Sequence, residues 1–377
     1  MMTDDIVVAL HANVRKWARE RLPIAHLRAL RDSHDAVGFS RDAWLQWAEL
    51  GLAGVTLGED VGGSALGYGA LGLAVTELGR SLAPLPWLSA LLGGGAIALG
   101  GSDAQQRTEL PALVAGTRLP TLAHDEGTRH RRHRVAARAT RTPTGFALDG
   151  GKTMVLDGHV ADVFVVSART SGADEARDGI TLFLVDARAP GVTVTRSHVV
   201  DSRNVARVQL ARVTVGEADV VGAIDRGADV LDPLFDRATI VLAAEMLGSL
   251  EEAFARTLAH LKSRRQFGVL LGSFQALQHR AARAWCELEL TRALVAEALA
   301  AADGDDAALT ARLACAAKAR ASDAFIAIAS EAVQLHGGIG VTDELDIGLF
   351  YKRAHVAAQL LGDAAYQRDR FATLSGY

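Results

Sequence analysis

The chain has 377 residues and a formal net charge of -4 from 40 basic and 44 acidic side chains, so it carries no electropositive field for sequence-independent binding of DNA or RNA. At 49% hydrophobic and 5% aromatic residues it has the aliphatic content for a large core, and its length suits two or three domains and excludes a single small module. The two cysteines, Cys286 and Cys315, make neither a disulfide framework nor a thiolate zinc site; both read as buried, inert thiols, and no metal site is expected.

The chain opens on an amphipathic helix that ends before Pro23. Asp4 and Asp5 stand where a secretory signal would be basic, and the apolar run Ile6 to Leu10 is too short for one. No stretch reads as the ~20 apolar residues that cross a bilayer; the longest candidate, Trp87 to Leu99, is glycine-rich. A cytoplasmic protein without a membrane partner is the expectation. Helices follow over Asp42 to Leu50 and Leu66 to Leu82, the second with Leu71, Val75, Leu78 and Leu82 on one core-facing stripe and a stop at Pro84 and Pro86.

The signal then changes to short strands rich in Val and Thr: Phe146 to Leu148, Asp162 to Ser167, Thr181 to Val185, Val192 to Thr195 and Val205 to Val215. Strands without helices between them predict an antiparallel sheet or barrel rather than a parallel nucleotide-binding sheet. Long helices follow over Pro233 to Leu261, Phe274 to Ala302 and Asp306 to Leu335, with a shorter one from Asp343 to Phe371. The expected fold is multi-domain α+β: an N-terminal all-helical domain (1–118), a middle antiparallel β-barrel (119–222) and a C-terminal four-helix bundle (223–377).

Two motifs carry chemistry. Arg264-Arg265-Gln266-Phe267-Gly268 precedes Phe274-Gln275, which opens a new helix. Alone it also reads as a helix end; with the helix start behind it, guanidinium and free amides suit a diphosphate. Gln334-Leu335-His336-Gly337-Gly338-Ile339-Gly340 reads either as a helix cap and turn or as backbone that a phosphate can approach closely.

In this order and spacing, with Leu45 to Pro84 as a matching helical entry, the motifs resemble the acyl-CoA dehydrogenase family over nearly the whole chain. The resemblance implies a flavoprotein with FAD lying extended between subunits. Arg264 and Gln275 are then expected at the diphosphate, Phe267 beside the cofactor, and Gln334, Leu335, His336, Gly337 and Gly338 at its other side. It further implies an acyl-CoA substrate, an electron-transfer flavoprotein as acceptor, and a homotetramer, a homodimer or a heteromer with another subunit of the family.

The flavin-ring side departs from the family pattern. Its Thr-Glu-Pro and Gly-Ser-Asp loop appears as Ala123-His124-Asp125-Glu126-Gly127 and a basic run from Arg129 to Arg134; its Lys-x-Trp-Ile-Thr-Asn-Gly segment appears as Lys152 to Gly158 with Met154 and Val155 for the aromatic. The basic run reads as a solvated loop, as a contact for coenzyme A phosphates, or least well as a metal site of His124, His130 and His133 beside four arginines. Aligning the C-terminal glutamate of the family through Lys352-Arg353-Ala354-His355 and Gly362 puts Leu361, which cannot accept a proton, in its place. Counting back from Gly248 to the family's other base position leaves Asp236-Arg237 two residues early, about 200° around a helix.

Asp236 is thus a candidate base or a first-turn carboxylate after Pro233, and Asp363 is a second candidate or a Gly-Asp turn. Two functions follow from the resemblance: an FAD-dependent dehydrogenase forming a 2,3-enoyl-CoA, or a noncatalytic half-site partner in a heteromeric dehydrogenase of the kind used in steroid and side-chain catabolism.

Overall fold

The computed structural model describes residues 2–377. The N-terminal segment contains α1 (Met2–Arg21), α2 (Ile24–Asp32), α3 (Arg41–Glu49), α4 (Gly67–Arg80), α5 (Trp87–Gly100) and α6 (Asp103–Val114). Local chemistry sets several boundaries. Ser40 caps α3 through the Ala43 N–H, and Ser102 and Gln105 form a reciprocal capping box on α6.

Eight strands follow: β1 (Pro120–Ala123), β2 (Arg138–Thr142), β3 (Gly145–Leu156), β4 (Val163–Arg169), β5 (Ile180–Asp186), β6 (Val192–His198), β7 (Asn204–Val215) and β8 (Val220–Val221). They form one sheet in the order β6-β7-β3-β2-β4-β5-β8, with β1 alongside β4. The pairing is antiparallel except where β1 and β2 meet β4 in parallel. Every residue of β4 is buried, so Val163-Phe164-Val165-Val166 reads as an unbroken apolar run rather than an alternation. Phe146 of β3 and Phe183 of β5 meet edge to face at 5.2 Å inside the sheet core.

The C-terminal segment begins with α7 (Ala228–Ser263), followed by a two-strand hairpin, β9 (Arg265–Gln266) and β10 (Val269–Leu270). α8 (Gln275–Ala302), α9 (Ala307–His336), α10 (Ile347–Gln359) and α11 (Ala364–Leu374) complete it. The single last helix expected from the sequence is therefore two. The break falls at Leu361 and Gly362, both at positive φ (55° and 95°), and Asp363 starts α11 as its cap. α9 is long and apolar enough to cross a membrane by length and composition, although Arg312, Lys318, Arg320 and Asp323 keep it from being an uninterrupted apolar run. Its buried face includes Phe325, Ile328 and the aliphatic and ammonium parts of Lys318, as in a core helix of a bundle.

The chain divides into two compact units. One holds residues up to Ala29, Tyr68–Ala83 and Thr239–Tyr377; the other holds Leu30–Gly67 and Pro84–Ala238. The N-terminal helical segment is thus shared between them. In the helical unit α4 and α7 touch backbone to backbone: a Cβ on Gly79 would stand 2.1 Å from the Glu245 carbonyl oxygen, and one on Gly248 would stand 1.9 Å from that of Thr76. The expected stripe of Leu71, Val75, Leu78 and Leu82 is fully buried.

Candidate functional site: an open cofactor cradle and a closed polar loop

The helical unit brings the two sequence motifs together. His260, in the last turn of α7, stacks against His336 at the end of α9 with ring centroids 4.2 Å apart. Burial, then the neighbouring His336 and Arg264, hold the His260 imidazole below its ordinary pKa. His336 keeps its own ring fixed through Nδ1, which donates to the Ala332 carbonyl at 2.7 Å. Arg264 continues from His260, and the β9–β10 hairpin is closed by the Leu271 N–H donating to the Arg264 carbonyl at 2.9 Å. The hairpin tip is Phe267, at φ 52° and 89% exposed, with Phe274 edge-on at 6.1 Å.

These residues present unclaimed polar surface. Arg264, Gln275, Gln334, Gly337 and Gly338 are all exposed, whereas the Leu335 side chain is buried and leaves only backbone to offer a ligand. Phe274 caps α8 without a side-chain hydrogen bond, so the first amides of a 28-residue helix are not claimed by a cap. A Cβ on Gly268, Gly337 or Gly338 would meet no atom within 4 Å, so open space surrounds them. A guanidinium, an uncapped helix start, two carboxamides and bare glycine backbone suit a diphosphate, and the adenosine diphosphate half of FAD fits this donor set.

Several other polar groups of this unit are engaged within the chain. Glu245 of α7 and Arg353 of α10 form a buried pair at 3.1 Å. Asp363 caps α11, accepting the Tyr366 N–H at 2.9 Å, so its carboxylate has a structural task. Leu361 is buried, and its carbonyl takes Gln367 Nε2–H at 2.6 Å. Beneath this turn Lys318 Nζ donates to Ser322 Oγ, the Ala358 carbonyl and the Gly362 carbonyl at 3.1, 3.0 and 3.2 Å. Burial lowers its pKa to about 7, against a smaller upward pull from Asp363.

In the sheet unit the loop 124–134 is tied down from below. Lys152 of β3 donates to Glu126 Oε1 at 2.6 Å and to Ser167 Oγ at 3.1 Å. Ser167 lies 3.0 Å from His124 Nδ1, and His124 Nε2 lies 3.3 Å from the Arg131 carbonyl oxygen. Burial brings the His124 pKa down to about 3, so the ring is neutral. The carbonyl needs Nε2–H as donor; Nδ1 then accepts from the Ser167 hydroxyl, which accepts from Lys152, and one direction of hydrogen bonding runs through the set. Glu126 also accepts the Ala136 and Ala137 N–H groups at 2.6 and 3.0 Å.

Asp236 does not lie in the first turn of a helix, since α7 begins at Ala228; the cap reading fails because the helix runs through Pro233. Asp236 is instead buried and accepts Arg132 Nη2–H at 2.6 Å. Arg132 also donates to the Asp232 carbonyl at 3.1 Å and lies 5.5 Å above the Phe235 ring. His130 pairs with Asp125 at 2.9 Å and His133 with Asp232 at 2.9 Å. The basic run is therefore not simply a solvated loop: His130 and Arg132 turn inward to carboxylates. The histidines engage acids and backbone, and among the described residues no cluster of metal-binding composition occurs. Sequence reasoning missed Arg132 as the partner of Asp236, a pairing across 104 positions with no local signal. Cys315 is buried as expected, but Cys286 is exposed on α8 because that face of the helix is not covered within this chain.

Exposed arginine, carboxamide and glycine backbone on the helical unit, and a β-sheet unit with its own core, are the features to set against known proteins. The chain belongs to the acyl-CoA dehydrogenase family: the family's N-terminal, middle and C-terminal domain profiles match residues 7–117, 124–213 and 225–374. The acyl-CoA dehydrogenase IpdE2 of Mycolicibacterium smegmatis is 31% identical over 350 residues, covering 91% of this chain and 90% of that protein. Among solved structures, a Tcur3481-Tcur3483 steroid ACAD variant superposes with a TM-score of 0.87 at 30% identity, covering 99% of this chain and 98% of the other. The ChsE4-ChsE5 complex from Mycobacterium tuberculosis does so with a TM-score of 0.87 at 28% identity, with the same coverage. The family's cofactor is FAD.

Proposed function

We propose that the chain works as an FAD-dependent acyl-CoA dehydrogenase, removing the α-proton of an acyl-CoA thioester and desaturating the Cα–Cβ bond to a 2,3-enoyl-CoA. The observation that carries this reading is the meeting of the two motifs at His260 and His336, which leaves Arg264, Gln275, Gln334, Gly337 and Gly338 open together on the helical unit. These residues would hold the diphosphate region of FAD, and Phe267 would pack beside the cofactor. When bound, FAD accepts the hydride from the β-carbon. Segments 1–118, 119–222 and 223–377 are taken as the three domains, and an electron-transfer flavoprotein as the acceptor.

The proton acceptor is the unusual element. In this reading Leu361 takes the place of the family's C-terminal glutamate, on the alignment through Lys352-Arg353-Ala354-His355 and Gly362. Asp236 is the carboxylate assigned to the task, and accepting a proton requires it to loosen the Arg132 hydrogen bond. Asp363 would have to leave its cap. That both carboxylates are engaged favours a second reading, in which the chain lends its cofactor-binding half to a paired subunit that supplies the base.

The visible spectrum of the chain purified alone separates the two. Stoichiometric oxidised flavin that bleaches anaerobically with an acyl-CoA is expected for the enzyme; a colourless protein that becomes yellow only with a second subunit belongs to the partner reading. Asp236→Asn is expected to slow flavin reduction by on the order of 100-fold or more, as for loss of a general base. An unchanged rate removes Asp236 from the reaction, and Asp363→Asn then tests the other carboxylate.

A further inference from the structure

The inward half of the basic loop is explained by its acids, but the outward half is not. Arg129, Arg131 and Arg134 are exposed, and among the described residues none of the three side chains has a hydrogen bond or an ion pair. The carboxylates packed around the loop are already engaged: Asp125 by His130, Asp236 by Arg132, Asp232 by His133 and Arg177, and Asp174 by Arg138. In a chain of net charge -4, three cations within six residues are left without local compensation.

Their backbone is held firmly. The Arg131 carbonyl accepts from His124, and the Arg134 N–H returns to the Arg131 carbonyl at 3.3 Å. Arg169, almost wholly buried on β4, aims its guanidinium at the carbonyls of His133, Val135, Asp174, Ala176 and Asp178, all at 2.8 to 3.0 Å. Val135 N–H bonds the Asp174 carbonyl at 2.8 Å. A loop bound on this scale displays its outward arginines from a fixed base, which lowers the ordering cost of engaging a multivalent anion. Planar guanidinium groups take phosphate oxygens in paired, charge-assisted hydrogen bonds.

We propose that Arg129, Arg131 and Arg134 form a phosphate-recognition surface for the 3′-phospho-adenosine diphosphate end of the coenzyme A thioester. The proposal rests on the acyl-CoA reading above and adds the residues that recognise the carrier rather than the acyl group. His130 and Arg132 act as the anchors that present them, not as ligands.

The test uses the holoprotein and two probes, coenzyme A itself and an acyl-pantetheine thioester lacking the phosphorylated nucleotide. Calorimetry at low ionic strength is expected to show coenzyme A binding that weakens with added salt. The triple variant Arg129→Ser/Arg131→Ser/Arg134→Ser is expected to lose on the order of ten-fold or more in affinity, as for loss of several charge-assisted contacts. The triple Lys variant, which keeps the charge but not the paired hydrogen bonds, is expected to fall between the wild type and the Ser variant, and the Ser variant reduces flavin with acyl-pantetheine as fast as the wild type. Unchanged coenzyme A affinity in the Ser variant overturns the proposal, as does a loss confined to electron delivery to a protein acceptor, which would assign the arginines to an acidic partner surface. If no thioester reduces the flavin while coenzyme A binding still depends on the three arginines, the dehydrogenase reading falls and the phosphate surface stands.

Discussion

The surface around Arg264 and the inward side of the loop 124–134 draw on the same chemistry, arginine and histidine beside hydrogen-bonding partners, and put it to opposite uses. Around Arg264 the guanidinium, the carboxamides of Gln275 and Gln334 and the glycine backbone face outward with no protein atoms closing over them. In and beneath the loop, Arg132 and His130 and, from β3, Lys152 are buried against Asp236, Asp125 and Glu126. An open set of this kind contributes little to folding and much to binding, whereas a closed set loses heavily if one member is removed. Residue type alone does not separate ligand-holding groups from structural ones; the presence of a counter-charge from the same chain does.

The sharpest way to break this contrast is Arg132→Ala, which takes the guanidinium away from the buried Asp236 carboxylate. A loss of about 3 to 5 kcal/mol in urea unfolding is expected, and Arg132→Met combined with Asp236→Leu is expected to recover much of it. A loss below about 1 kcal/mol would mean that the pair is not closed in the folded protein. Next in size, Arg264→Ala is expected to weaken FAD retention by roughly 1.5 to 3 kcal/mol, read by equilibrium dialysis, and to leave apoprotein stability within about 0.5 kcal/mol. A drop in apoprotein stability as large as the drop in affinity would place Arg264 among the structural residues.

Lys318 extends the comparison to pH. The unfolded chain holds this proton up to the ordinary lysine value of 10.5, and the folded chain releases it at about 7. Between those values the unfolded state binds more protons, so this group makes stability rise with pH across the window. Lys318→Met is expected to flatten that rise, seen as the difference between wild-type and variant unfolding free energies at several pH values from 7 to 10. A constant difference would show that the amine stays charged in the fold.

The smallest effect concerns Asp157, half-buried with its carboxylate on Ser89 Oγ and its pKa raised by desolvation against the pull of Ser89 and Asn204. A raised carboxyl favours folding while protonated and opposes it as pH rises through the folded value. Asp157→Asn is therefore expected to stabilise at neutral pH by on the order of 1 kcal/mol, with the gain fading in acid. A destabilised variant at neutral pH would mean that the ionised form is the one the site favours.

Much of the helical architecture was readable because periodicity and caps coincide: Asp306 before α9 and Phe274 before α8 fall where the sequence puts them. β4, β5, β6 and β7 announced themselves through Val and Thr, but β3 was read only over Phe146 to Leu148 because Asp149-Gly150-Gly151-Lys152 resembles a turn, and β1 and β2 were missed, being four and five residues long and, in β2, all arginine and threonine but for one alanine. Gly362-Asp363 spelled out the break between α10 and α11, but the alanine-rich runs on either side masked it. At the site, the open residues were legible because they sit in contiguous motifs. The closed ones were not, since Arg132–Asp236 and Lys318–Gly362 join positions 104 and 44 apart, and such partners become visible only in three dimensions.

The contact of α4 and α7 at Gly79 and Gly248 carries a different consequence. With carbonyl oxygens standing where any side chain would begin, those two positions tolerate almost no drift, while exposed side chains such as Arg129, Arg131, Arg264 and Gln275 meet no such wall. A lineage built on this frame can exchange the groups that perform the reaction far more readily than the two hydrogens at the helix crossing, so its architecture outlives any one chemistry it houses.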